Sequence, residues 1–76
     1  MEMDEENPQM IEVAINGEKK QAPAGLTVAG LLENLNVKKA TVVVEHNRVV
    51  LKQSELDEVA VKAGDELEIV RFVGGG

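Results

Sequence analysis

Cysteine, tryptophan and tyrosine are absent from this 76-residue chain, and phenylalanine and histidine occur once each, as Phe72 and His46. Without cysteine there can be no disulfide framework, no thiolate metal site and no thiol nucleophile. A single histidine leaves nothing from which to assemble a triad or a multi-histidine metal centre. With one aromatic, the core has to be built from Val, Leu, Ile and Ala, and a chain this short buries only about 60% of the surface it exposes when unfolded. No apolar run approaches the roughly 18 residues of a membrane span. The opening stretch MEMDEENPQ carries four acids, the reverse of a secretory signal. The chain therefore reads as a soluble, cytoplasmic protein with no membrane association.

Basic residues are also scarce, eight against fourteen acids for a formal charge of −6. That balance repels phosphate backbones and argues against nucleic acid as a partner. It suits a protein partner with a basic docking face, and it keeps a small domain soluble.

What is present is an orderly series of patterned segments. Residues 1–9 are polar and acidic and read as a disordered extension. In MIEVAIN, Ile11, Val13 and Ile15 alternate with Glu12, Ala14 and Asn16, the period of a half-buried strand. Asn16-Gly17 then signals a type I′ hairpin turn, whose two central residues need positive φ, so EKKQA becomes a second, antiparallel strand. The period changes in PAGLTVAGLLENLNV, where Val28, Leu31, Leu32 and Leu35 line one stripe of a helix of two to three turns. Thr27 is placed to cap its start, and Asn36 to end it in a left-handed conformation. Such a short helix must lie on a sheet to persist.

A third strand is expected over Thr41 to His46, a turn at Asn47-Arg48 and a short fourth strand through Val49 and Val50. Arg48 argues against a type I′ geometry at that turn, because only small residues take positive φ cheaply. Ser54 with Glu55, Asp57 and Glu58 suggests one capped helical turn that tucks Leu56 inward. Ala63-Gly64-Asp65 is a turn, and ELEIVRFV alternates as the last strand, with Leu67 and Ile69 toward the core and Val70 and Phe72 away from it. This order of elements is that of an α+β roll of the β-grasp kind, a mixed sheet of four to five strands with one main helix across it. His46 reads as an ordinary strand-end residue, and Glu55, Asp57, Glu58, Lys19, Lys20, Lys38 and Lys39 as solvated side chains.

The segments INGE, AGLTVAGLLENL, VVVEHNRVV and AGDELEIV, followed by the final VGGG, resemble the small ubiquitin-like sulfur carriers of the ThiS/MoaD superfamily, and ThiS-type carriers most closely. The resemblance covers residues 10–76. It departs from the family pattern at Asn47-Arg48, where members often have Asn-Gly, and at Lys52-Gln53, where they often have Pro-Arg. It divides the chain into a β-grasp domain over 10–73 and a flexible glycine tail over 74–76.

The resemblance implies a protein acted on by enzymes, with no catalytic residue or bound cofactor of its own. In such carriers the terminal glycine carboxylate, here that of Gly76, attacks ATP on an E1-like (ThiF-like) adenylating enzyme that supplies the Mg²⁺ site. A persulfide from a sulfur donor protein then displaces AMP, leaving a thiocarboxylate for thiazole synthase or another acceptor. Glycine suits Gly74 and Gly75 to threading a narrow active site, since it lacks a Cβ and tolerates φ of either sign. The outward Val70 and Phe72, joined by Val43 if the third and last strands are neighbours, form the expected partner interface. A MoaD-like carrier for molybdopterin synthesis, a ubiquitin-like modifier and a plain β-grasp interaction module are the alternatives.

Overall fold

A computed structural model describes residues 9–71. The expectations for the acidic extension before Gln9, for Phe72 and for Gly74, Gly75 and Gly76 lie outside the described residues.

Five strands, β1 (Met10–Ile15), β2 (Glu18–Pro23), β3 (Val42–His46), β4 (Val49–Val50) and β5 (Glu66–Arg71), form one mixed sheet in the order β2-β1-β5-β3-β4. Only β1 and β5 are parallel; the other neighbours are antiparallel. Among the described residues, one α-helix, α1 (Val28–Asn34), makes the crossover. The fold is thus the β-grasp roll expected from the pattern, with the last strand inserted at the centre.

Local chemistry explains each junction. Asn16 (φ 51°) and Gly17 (φ 85°) both adopt the left-handed conformation that a two-residue hairpin requires. The first free N–H groups of α1 all find acceptors: Val28 donates to the Val59 carbonyl (2.9 Å), Ala29 to the Leu56 carbonyl (2.7 Å) and Gly30 to Thr27 Oγ1 (3.1 Å). At its other end Asn36 (φ 62°) reverses the chain, and the Val37 N–H closes on the Leu32 carbonyl at 2.9 Å, a Schellman-type stop. The helix stripe of Val28, Leu31 and Leu32 is almost wholly buried against Val13, Ile15, Val42, Val44 and Leu67 of the sheet, with Leu56 and Val61 closing the side. Leu35 is only half-buried, at the margin of this core.

Three local expectations are corrected. The Asn47-Arg48 turn does take positive φ at both residues (50° and 73°), despite the arginine. The reason is tertiary: Asn47 Oδ1 accepts from the Glu66 N–H (2.9 Å), and its own N–H donates to the Glu66 carbonyl (2.8 Å), which fixes the turn from the neighbouring strand. Thr41 belongs to a 3₁₀ turn (Lys39–Thr41), where its hydroxyl donates to the Lys38 carbonyl, and β3 starts at Val42. The second 3₁₀ turn (Gln53–Glu55) is capped by Glu55, whose carboxylate accepts the Lys52 N–H at 2.7 Å, and Ser54 lies inside the turn and is not its cap. Lys39 and Asp57 are exposed, as expected, and meet in a surface ion pair at 2.8 and 2.9 Å.

Candidate functional site

β5 carries Val70, one of the residues expected at the interface. It lies between β1 and β3, so its alternate residues split cleanly between two faces: Leu67 is buried and Ile69 half-buried under the helix, while Glu66, Glu68 and Val70 point outward. The outward side chains meet those of β3 in register. Val43 stands directly opposite Val70, and Glu45 directly opposite Glu68. Val43 is 40% exposed and Val70 60%, and Val50, paired with Glu45, is 60% exposed.

Val43 and Val70, two of the residues expected at a partner interface, are thus neighbours on the uncovered face, beside Glu45, Glu66 and Glu68. Phe72, the third member proposed from the sequence, lies outside the described residues. Arg48 joins Glu45, Glu66 and Glu68 in lining a shallow cleft on this side of the sheet. Two glutamates opposed across a ladder repel each other, and an exposed acidic margin around apolar side chains favours a partner that brings positive charge.

Two polar arrangements were not anticipated from the sequence. At the start of β5, His46 Nε2 lies 2.7 Å from Asp65 Oδ2, with the two side chains 18% and 13% exposed. The same Asp65 carboxylate accepts the Lys62 N–H (2.8 Å) and Asn47 Nδ2 (3.2 Å). Burial pushes the Asp65 carboxyl upward, but the hydrogen bonds from Lys62, His46 and Asn47, with the charge of His46, outweigh it and leave the group below its ordinary value. His46 is thus a clasp between β3 and the loop before β5. No local pattern points to a partner in the loop before β5; only its position on the core-facing alternation of β3 hinted that it was not free.

The second arrangement centres on Asn16. Its N–H donates to the Leu67 carbonyl at 2.8 Å. Its side-chain Oδ1 accepts the Ile69 N–H at 2.7 Å, and Nδ2 donates to the Ile69 carbonyl at 3.2 Å. The Asn-Gly pair announced the turn, but nothing in the hairpin signal places the amide against the last strand.

Among the described residues no group of three or more His, Cys, Asp or Glu is placed to hold a metal ion, and no helix is long and apolar enough to cross a membrane.

The sequence model of the ThiS family matches residues 7–76. A thiazole synthase of Paramagnetospirillum magneticum is 44% identical over 66 residues, covering 87% of this chain and 20% of that protein. A thiazole synthase of Magnetococcus marinus is 36% identical over the same length with the same coverage. The chain thus spans about a fifth of the length of these curated relatives. Among solved structures, the crystal structure of the thiamine biosynthesis protein ThiS from Geobacter metallireducens superposes with a TM-score of 0.74 at 36% identity, covering 87% of this chain and all of that one. A solution structure of a thiamine biosynthesis protein from the same organism gives 0.71 at 36% identity, over 87% of this chain and 88% of the other.

Proposed function

The chain belongs to the ThiS family, and from that premise we propose that it is a sulfur carrier for thiamin thiazole synthesis, with the Gly76 carboxylate as its reactive group. A ThiF-like adenylating enzyme, using ATP and Mg²⁺, converts this carboxylate to an acyl-adenylate with release of pyrophosphate. The outer sulfur of a donor persulfide then displaces AMP to give an acyl disulfide. A thiol cleaves its S–S bond, leaving the carrier thiocarboxylate and a disulfide of that thiol with the donor, and the thiocarboxylate donates its sulfur to thiazole synthase. The carrier contributes the acyl group; its partners contribute the electrostatic stabilisation.

The observation that carries this reading is the placement of β5. It is the central strand, held between β1 and β3, and it conducts the chain through Arg71 directly toward Phe72 and the glycines. From the end of that strand, three residues reach at most about 10 Å when extended, the span that Gly74, Gly75 and Gly76 need to enter a partner's active site. Pairing with thiazole synthase is supported by the relatives of that name, in which a stretch similar to this chain makes up about a fifth of the protein. The Val43–Val70 face, with Phe72 beyond it, serves as the docking surface for both enzymes.

Intact mass of the full chain, after incubation with a purified ThiF-like enzyme, Mg-ATP, a persulfide donor and a thiol reductant, tests the proposal. Exchange of one carboxylate oxygen for sulfur is expected, and its loss on deleting Gly75 and Gly76. An unchanged mass with an enzyme that is active on its own carrier would overturn it, and a ladder of lysine conjugates in cell extract would favour a modifier instead.

A further inference from the structure

The parallel β1–β5 pairing is short: it contains only Ala14 with Glu66 and Ile15 with Leu67. β1 then leaves the sheet through the Asn16-Gly17 turn, while β5 continues to Arg71 with β3 along its other edge. Beyond Leu67, the edge of β5 that faces β1 would have no strand beside it. At that place the Asn16 amide supplies an acceptor and a donor to the two main-chain groups of Ile69, at 2.7 and 3.2 Å. One side chain thus gives Ile69 the two bonds that a continued β1 would have supplied. The left-handed φ of 51° at Asn16 serves both purposes, turning the hairpin and aiming the amide back at β5.

We propose that Asn16 is a positioning residue for the reactive tail. By gripping Ile69 on the side that β1 has vacated, it holds the last part of β5 from both edges and so sets the direction in which the chain leaves toward Gly76. The inference rests on the sulfur-carrier reading, because only there does the direction of the tail govern a reaction. Docking depends on the outward face of β3 and β5, so loss of the grip acts on turnover more than on affinity. A reacting atom misplaced by about 1 Å costs on the order of a hundredfold in rate.

Two variants of the full chain separate this role from a structural one. Asn16→Gly removes the amide but keeps a residue that takes positive φ without strain. Asn16→Asp keeps the turn preference and the Oδ1 acceptor but sets a second acceptor against the Ile69 carbonyl. Each is compared with the parent by amide hydrogen exchange at Ile69, by calorimetric affinity for a purified ThiF-like enzyme, and by ATP–pyrophosphate exchange on that enzyme at varied carrier concentration. Ile69 exchange should speed up in both variants, affinity should stay within about twofold, and kcat should fall about tenfold to a hundredfold, with Asn16→Asp between the parent and Asn16→Gly. An unchanged kcat, or a loss confined to affinity, overturns the proposal. If Asn16→Gly proves unfolded, Asn16→Asp decides it alone. A parent chain that supports no pyrophosphate exchange at all brings down the carrier reading itself, and the tail-aiming role with it.

Discussion

His46 and Asp65 meet at 2.7 Å between the end of β3 and the loop that launches β5. Asp65 gathers three donors there, from Lys62, Asn47 and His46, so its carboxylate ties two loops and a strand together. A carboxyl whose value is depressed by folding stabilises the native state above its unfolded value, and that contribution disappears as pH falls through the folded value. Asp65→Asn is expected to cost about 1–2 kcal/mol at pH 7. The gap between parent and variant should close once the medium is well below about pH 4, the ordinary aspartate range. Urea denaturation of both proteins at neutral and at acid pH measures it; a gap independent of pH would mean that shape, not charge, is what Asp65 supplies.

Leu32 is 1% exposed at the centre of the helix stripe. Truncation to alanine removes its burial and leaves a cavity under the sheet, at a cost of about 2–5 kcal/mol. Since small domains hold only about 5–15 kcal/mol in total, the variant should melt far below the parent or be unfolded. Thermal denaturation followed by circular dichroism checks this, and a parent-like melting point would contradict the packing described.

Arg48 carries a φ of 73°, a conformation that costs a residue with a Cβ about 1–2 kcal/mol. Glycine relieves that strain while adding freedom to the unfolded chain, so Arg48→Gly should raise stability by a net of about 0.5–1 kcal/mol. The same denaturation assay reads the sign, and a loss of stability would show that the arginine side chain offsets the repulsion among Glu45, Glu66 and Glu68.

Val70 is 60% exposed and sits opposite Val43 on the uncovered face. Val70→Lys should leave folding within about 0.5 kcal/mol, as exposed substitutions usually do. Binding to a ThiF-like enzyme should weaken at least about tenfold, because a lysine at the centre of the contact loses apolar burial and opposes a basic partner. Calorimetric titration decides between this surface and another, with equal affinities moving the docking site off the β3–β5 face.

Much of the architecture could be read along the chain because its signals are local. Alternation in MIEVAI and ELEIVR, the Asn16-Gly17 turn, the Val28–Leu31–Leu32 stripe between Thr27 and Asn36, and the inward Leu56 all depend on residues a few positions apart, where side-chain period and backbone preference act directly. The outward facing of Val70, and the expectation that Val43 joins it if their strands adjoin, follow from the same alternation. What only the tertiary structure decided is contact between distant segments: that β3 and β5 adjoin with Val43 against Val70, that His46 finds Asp65, that Asn47 lets Arg48 take a left-handed turn, and that Asn16 grips Ile69. Each of these is a hydrogen bond or a register between residues with no periodic relation. Its geometry exists only after the core of Val, Leu and Ile has drawn β5 into the middle of the sheet.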